Sequence, residues 1–147
     1  MADNNVSVPF DDPNVTSAFT PIMATGEIPS LAERRLVPEE VEIIESLPLG
    51  SALLIAQSGP NSGARFLLDG DETHAGRHIG AHIFLDDVTV SRHHAIFIRD
   101  GHDFRVRDSG SLNGTYVNRE RIDDAVLHTG DEVQIGKFRL VFYGAQG

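Results

Sequence analysis

From Ser51 onward, short runs rich in β-branched and aromatic residues alternate with turn-forming residues. The runs cover 51–57, 64–68, 73–76, 82–85, 94–99, 104–107, 115–118, 132–135 and 138–143. Turn signals such as Asp100-Gly101 and Asn113-Gly114 separate them. Short strands at this spacing, with little helical periodicity, are typical of a β-sandwich or a β-barrel. The pattern therefore predicts an all-β domain with one modest core.

The N-terminal third of the chain has a different composition. It holds six of the seven prolines, at positions 9, 13, 21, 29, 38 and 48. Prolines at this frequency interrupt helices and strands, and a segment with few large apolar residues cannot offset the entropy of ordering it. We predict a flexible, acidic, proline-rich regulatory tail over 1–49 and a folded domain over 50–147. Within the tail, Pro38 followed by acidic residues predicts a short helix over 38–45.

Charge and composition exclude several classes of function. The net charge of −10 argues against nucleic acid as a partner. The chain has no apolar run of about 18 residues, as a membrane span requires, and MADNNVSVPF lacks the basic and apolar regions of a signal peptide. There is no cysteine, which excludes disulfides and thiolate chemistry. We expect a cytoplasmic protein that binds neither nucleic acid nor membrane.

Three short motifs follow one another at the ends of predicted strands: Gly76-Arg77, then Ser91-Arg92-His93-His94-Ala95, then Ser111-Leu112-Asn113-Gly114-Thr115. An arginine offers a planar, charged donor fork that suits phosphate. A serine hydroxyl can donate to a second phosphate oxygen, and an asparagine amide can hold a peptide backbone through its donors and its acceptor. Loops that follow strands are where binding residues concentrate. The motifs together indicate a site for a phosphorylated peptide.

Each of these residues also has an ordinary structural interpretation. Arg77 can form a surface ion pair with Asp86 or Asp87. A serine at the start of a strand, such as Ser91, is often a local cap. Asn113-Gly114 has the composition of a tight turn.

Metal binding and catalysis are not expected. His93 and His94 are adjacent, but strand alternation points their side chains to opposite faces, and no cysteine or second histidine pair accompanies them. Ser91 and His94 lie within one strand without an evident acid to orient the histidine. We expect neither an enzyme nor a cofactor.

In this order, separated by strands, the motifs resemble the forkhead-associated (FHA) domain from about Gly50 to Tyr143. The stretches IFLDDVTVSRHHA, GSLNGTYVNRE and GDEVQIGKFRLVF resemble more closely the small actinobacterial regulators of the GarA/OdhI type. The resemblance implies an FHA-type β-sandwich of about eleven short strands. It implies that this domain recognises phosphothreonine.

The resemblance also implies the residues of the site. The residues that contact the phosphothreonine and its peptide are Arg77, Ser91, Arg92, Ser111, Leu112 (through its backbone) and Asn113. The residues that support the site are Gly76, His94 and Gly114, with His94 as a buried ring that holds the loops. The loop over 78–82 differs from that of the relatives, so the resemblance says less about the preference for residues after the phosphothreonine than about the phosphate site itself.

The tail resembles the phosphorylated segment of the same regulators. The stretch Asn14-Val15-Thr16-Ser17-Ala18-Phe19 resembles their Glu-Thr-Thr-Ser-Val-Phe motif, with Val15 in place of the first threonine. The resemblance implies that a serine/threonine protein kinase phosphorylates Thr16. The domain then binds its own tail and releases its partner enzymes. Thr20 and Thr25 remain alternative phosphoacceptors.

The resemblance implies a regulatory protein of 2-oxoglutarate and glutamate metabolism, and we expect it to be a monomer. Its expected partners are 2-oxoglutarate dehydrogenase, which the unphosphorylated chain would inhibit, and also glutamate dehydrogenase and glutamate synthase. The alternative is an FHA adaptor that recognises phosphothreonine on other proteins, with an inert tail.

Overall fold

A computed structural model describes residues 36–58 and 61–145. The described part contains helix α1 (Pro38–Glu45) and eleven strands: β1 (Ala52–Ser58), β2 (Arg65–Leu68), β3 (Glu72–Gly76), β4 (Ile83–Phe84), β5 (Ala95–Asp100), β6 (Asp103–Asp108), β7 (Thr115–Val117), β8 (Glu120–Ile122), β9 (Asp124–Leu127), β10 (Glu132–Ile135) and β11 (Phe138–Gly144). The predicted helix over 38–45 is confirmed. Thr16, Thr20 and Thr25 lie outside the described residues. Within the described chain, no helix is long and apolar enough to cross a membrane.

The strands form two sheets. One sheet has six strands in the order β2-β1-β11-β10-β7-β8, and the other has five in the order β4-β3-β5-β6-β9. The registers of the long pairs are antiparallel, whereas β3 and β4 run parallel. The prediction of an all-β sandwich of about eleven strands is therefore confirmed.

Two of these strands were missed by sequence reasoning. β8 and β9 are three and four residues long, and each contributes at most one fully buried residue. Without an alternation of apolar and polar residues, the period-2 signal of a strand is absent. Both strands lie at sheet edges, where few side chains are covered.

The core lies between the two sheets. Leu54 and Leu140 face it from the six-stranded sheet, and Phe97 faces it from the five-stranded sheet, all with no exposed surface. The rings of Phe104 and Phe142 meet across the sheets, with centroids 5.9 Å apart and planes tilted by 59°. A close-packed interior of this kind fixes the ends of β3, β5 and β6, from which the loops of the candidate site extend.

Helix α1 covers the outer face of the six-stranded sheet. Ile44 and Leu47 pack against Leu53 and Ile55 in a second apolar cluster. β1 is consequently buried on both faces, because Ala52, Leu54 and Ala56 face the core. A continuous apolar run of this kind is the signature of a strand covered on both sides.

A buried carboxylate fastens the helix to the sheet. Glu40 has no exposed surface, and its Oε1 accepts a hydrogen bond of 3.1 Å from the backbone N–H of Val37. Its Oε2 accepts one of 3.2 Å from Nε of Arg65 on β2. The helix belongs to the same compact unit as the strands. Packed structure thus begins on the N-terminal side of the predicted boundary between residues 49 and 50.

Replacing Ile44 with alanine should lower the free energy of unfolding by about 2 kcal/mol, because it removes a buried branched side chain from the helix–sheet contact. Urea unfolding of the full chain measures this change. The matched control is Val41→Ala on the same helix, where the side chain is 38% exposed and the expected loss is below about 0.5 kcal/mol. Equal midpoints for Ile44→Ala and the unaltered chain would mean that the helix contributes nothing to the folded unit.

Candidate functional site

The end of β3 lies directly against the segment that precedes β5. The backbone N–H of Arg77 donates to the carbonyl of Ser91 at 2.9 Å, and the N–H of Leu85 donates to the carbonyl of Gly76 at 2.9 Å. A Cβ at Gly76 would collide with the carbonyl oxygen of Arg92 and lie 2.8 Å from its carbonyl carbon. Only glycine permits this approach, so Gly76 brings the first two motifs together.

Arg77 points its guanidinium outward from this contact. Its Nε donates to the carbonyl of Val90 at 3.0 Å, which fixes the side chain while the residue as a whole stays exposed. Among the described residues, no carboxylate pairs with Arg77 or with Arg92, which is also exposed. The terminal nitrogens of both arginines are therefore available to an anion from solution.

The ion pair of Arg77 with Asp87 is absent, because Asp87 is occupied elsewhere. Its Oδ2 accepts hydrogen bonds from the hydroxyl and the backbone N–H of Thr89, and its Oδ1 lies 3.3 Å from Nζ of Lys137. The Thr89 hydrogen bonds, and to a lesser extent Lys137, hold the pKa of this carboxyl below its usual range. Lys137 and Asp87 thus neutralise each other and leave the charge of Arg77 uncompensated.

His94 joins the second motif to the third from inside the domain. The ring has no exposed surface. Its Nδ1 accepts a hydrogen bond of 3.0 Å from the backbone N–H of Ser91, so Nε2 carries the proton and donates to the carbonyl of Gly114 at 2.8 Å. Both ring nitrogens are satisfied, and the two loops are held at a fixed separation.

Ser91 lies between the two loops. Its Oγ accepts a hydrogen bond of 3.0 Å from the backbone N–H of Leu112, whose own side chain is 85% exposed. A hydroxyl that accepts in this way keeps its proton for another acceptor. Ser91 can therefore donate to a phosphate oxygen without losing its internal partner.

Ser111 is engaged inside the protein. Its hydroxyl donates to Oδ1 of Asp108 in a short hydrogen bond and accepts one of 2.9 Å from the N–H of Gly114. The residue is buried. Since its only side-chain proton is donated to Asp108, the geometry gives Ser111 a supporting position beneath the loop.

Asp108 organises the third motif. It accepts hydrogen bonds from the N–H groups of Gly110 and Ser111, from the Ser111 hydroxyl and from the hydroxyl of Thr115 at 2.7 Å. Burial raises the pKa of this carboxyl, but the hydrogen bonds outweigh burial and hold the pKa below its usual range. Sequence reasoning missed this role. The available signal was the spacing Asp108-Ser109-Gly110-Ser111, in which an aspartate precedes a glycine by two residues and a serine by three, as in an Asx-turn.

The Asp108 network predicts a loss of stability in acid. A carboxylate whose pKa is depressed by folding stabilises the native state above its unfolded pKa, near 3.8, and this contribution disappears as the pH falls through the lower, folded value. The free energy of unfolding should therefore decline below about pH 4. In Asp108→Asn the decline should be shallower but not abolished, because folding also lowers the pKa of Asp87 and Asp124. Urea titrations at a series of pH values test this, and identical slopes for the two proteins would contradict it.

Asn113 stands exposed at the tip of the third motif. Its Nδ2 donates to the carbonyl of Thr89 at 3.0 Å, which leaves Oδ1 and the second N–H facing outward. Gly114 follows with φ +87°, and a Cβ there would lie 2.8 Å from Nε of Arg121. The turn interpretation of Asn113-Gly114 and a peptide-binding role are therefore compatible.

The loop over 78–82 is held by two histidines. Nδ1 of His78 accepts from the N–H of Gly80 at 2.9 Å, and Nδ1 of His82 accepts from the N–H of His74 at 3.0 Å. The ring of His78 stacks on that of His93, with centroids 5.5 Å apart. Within the described residues, no three histidine, aspartate or glutamate side chains are grouped to hold a metal ion.

Comparison with known proteins gives a consistent result. The family model described as FHA domain matches residues 73–136. The glycogen accumulation regulator GarA of Mycolicibacterium smegmatis is 68% identical over 99 residues, which cover 67% of this chain and 63% of the relative's length. The oxoglutarate dehydrogenase inhibitor of Corynebacterium jeikeium is 54% identical over 142 residues, which cover 97% of this chain and 95% of that relative.

The fold has counterparts among solved structures as well. One, from a structural and functional analysis of phosphothreonine-dependent FHA domain interactions, superimposes with a TM-score of 0.61 at 28% identity. The matched region covers 66% of this chain and 99% of the chain in that structure. The likeness therefore extends over the sandwich and its loops.

Proposed function

The chain belongs to the FHA-domain family, and from this premise we propose that it is a non-enzymatic, phosphorylation-controlled regulator whose loop site binds phosphothreonine. Arg77, Ser91 and Arg92 contact the phosphate in this proposal, and Asn113 holds the peptide backbone. Ser111, together with Gly76, His94 and Gly114, supports the loops. The backbone of Leu112 is a further phosphate contact if its hydrogen bond to Ser91 opens.

One observation carries this proposal. Two arginines without a carboxylate partner in the described chain stand beside a serine that has a proton to donate, at the surface of a protein with a net charge of −10. Exposed cations grouped in this way produce a local positive potential that attracts an anion. A phosphorylated threonine carries about −1.5 to −2 charges and three acceptor oxygens, which suit these donors.

The partners follow from the relatives. One relative that matches almost the full length of this chain is named an oxoglutarate dehydrogenase inhibitor, and this supports the proposal that the unphosphorylated chain inhibits 2-oxoglutarate dehydrogenase. Glutamate dehydrogenase and glutamate synthase are further proposed partners. We place the protein in the cytoplasm, as a monomer, with a serine/threonine protein kinase as its input.

The proposed switch is intramolecular. Phosphorylation of Thr16 supplies a ligand that is covalently tethered to its own binding site. Tethering gives an effective concentration on the order of mM, so an affinity of about 10 µM favours the closed form roughly 100-fold, or about 2.7 kcal/mol. A modest phosphopeptide affinity is therefore sufficient to displace a partner enzyme.

Inhibition of 2-oxoglutarate dehydrogenase by three forms of the full chain tests the proposal. The unphosphorylated chain should inhibit, and the chain phosphorylated on Thr16 should not. Thr16→Val, treated with the kinase in the same way, is the matched control and should keep inhibiting. If no form affects the dehydrogenase, but all forms bind phosphothreonine peptides of other proteins, the chain is an adaptor with an inert tail.

A further inference from the structure

A groove runs from the phosphate site across the outer face of the six-stranded sheet. It has a volume of about 680 Å³ and is lined by Thr89, Asn113, Tyr116, Gln134, Lys137 and Arg139, among others. Because Asn113 belongs to both, the groove is continuous with the proposed phosphothreonine site. An extended chain leaving that site can therefore enter the groove directly.

The floor of the groove is a row of three side chains on neighbouring strands, and Arg121 of β8 continues this row at the border of the groove. The register pairs Arg139 of β11 with Gln134 of β10, Gln134 with Tyr116 of β7, and Tyr116 with Arg121 of β8. Directly paired residues on antiparallel strands project from the same face. At about 4.8 Å per strand, the row places the two arginines about 14 Å apart, with an aromatic ring and an amide between them.

The groove is positively charged in a negatively charged protein. Arg119, Arg121, Lys137 and Arg139 line or border it. The carboxylates facing them in the described structure are Asp87, beside Lys137, and Glu132, which lies 3.6 Å from Arg119 and 3.9 Å from Arg139. The cations therefore exceed the carboxylates, and the excess favours an acidic occupant.

Arg139 has unused hydrogen-bonding capacity. Its Nη1 is buried and has no hydrogen-bond partner, and the 3.9 Å to Glu132 is beyond hydrogen-bond reach. A buried donor without an acceptor is unfavourable. A carboxylate entering the groove would satisfy this donor and add an opposite charge.

We propose that this groove binds the carboxylates of Asp11 and Asp12 when phosphorylated Thr16 occupies the loop site, an inference that rests on the proposed function. The two acids lie five and four residues before Thr16, whereas the next ten residues after it contain no acid. At about 3.4 Å per residue, an extended chain places Asp12 about 14 Å from Thr16, far enough to extend beyond the phosphate site into the groove. Asp12 precedes Pro13, which favours the extended conformation that the groove requires.

A labelled peptide of residues 8–20 with phosphate on Thr16, titrated onto the unphosphorylated full chain and followed by fluorescence anisotropy, tests the groove. Substituting both acids in the peptide by asparagine should weaken binding about three- to tenfold at low salt. The protein variant Arg119→Gln/Arg139→Gln should lose the same factor. The two changes together should cost no more than either alone, since each removes the same contact. The control Arg107→Gln, an exposed arginine on the other sheet, should bind like the unaltered chain.

The outcomes separate the groove from the phosphate site. The assignment of the groove to the two acids would be overturned if binding depended on Arg77 but did not change when the acids were replaced. It would also be overturned if the losses of affinity from the peptide and protein substitutions added together. The proposed function would stand in either case. If no binding depends on Arg77, both the groove assignment and the proposed function are wrong. A further outcome is that the Arg119→Gln/Arg139→Gln variant weakens binding only of a peptide that contains residues 17–20. In that case the groove binds the residues after the phosphothreonine, and the assignment to Asp11 and Asp12 is wrong. The peptide substitutions are measured on the unaltered protein. They therefore test the assignment even if the protein variant does not fold.

Discussion

Replacing Arg77 with alanine should reduce the affinity for a Thr16-phosphorylated peptide at least about 100-fold, because it removes charge-assisted hydrogen bonds to the phosphate. The side chain is exposed and makes one hydrogen bond, to the carbonyl of Val90, so the thermal midpoint should change little. Isothermal titration calorimetry on the full chain measures the affinity. Arg77→Lys should recover only part of it, since an ammonium lacks the planar fork that binds two oxygens together.

Arg107→Ala provides the matched control for this measurement. Arg107 is also an exposed arginine, and its Nε lies 3.1 Å from Asp124 on the opposite side of the sandwich from the groove. Its loss makes the net charge of the protein more negative by the same single unit. Equal losses of affinity for the two variants would mean that the domain attracts the phosphopeptide by overall charge and that Arg77 has no specific role.

Replacing His94 with alanine should lower the free energy of unfolding by about 3 kcal/mol. The substitution leaves a cavity in place of a fully buried ring, and it strands the N–H of Ser91 and the carbonyl of Gly114 without their partner. Because these groups belong to the two loops of the site, phosphopeptide affinity should fall as well, by more than about tenfold. Urea unfolding and calorimetry measure the two effects.

His93→Ala is the neighbouring control for His94. The ring of His93 is exposed and stacks on His78, so its loss should change stability by less than about 0.5 kcal/mol. A destabilisation by His93→Ala as large as that of His94→Ala would contradict the assignment of the structural role to the buried ring.

The sequence was most informative where a functional side chain lies in a loop beside a strand or a turn. Arg77, Ser91 and Asn113 meet this condition, and the structure places all three around one surface. Their local chemistry, a charged fork, a hydroxyl and an amide, is readable from residue types alone. Their role in binding phosphothreonine stays a prediction until a ligand is measured.

Other features depend on partners far away in the chain and could not be predicted in this way. The hydroxyl of Thr89 accepts from the N–H of Lys137, 48 residues later, and this contact sets the wall of the groove. The helix docks on β1 because Leu53 and Ile55 are apolar on the face away from the core. The continuous apolar run over 52–56 indicates that β1 is covered on both faces. The residues next to it in sequence do not indicate which segment covers the outer face.

The loops of the site are held by the protein's own hydrogen bonds before any ligand arrives, and this arrangement has a kinetic consequence. A site that needs little reordering associates at a rate limited by diffusion and orientation, about 10⁶ M⁻¹s⁻¹. With an affinity of about 10 µM, the complex then dissociates at about 10 s⁻¹, a residence time near 0.1 s. Binding and release of a phosphopeptide would then be fast, so the speed of a response would be set by phosphorylation and dephosphorylation of the ligand.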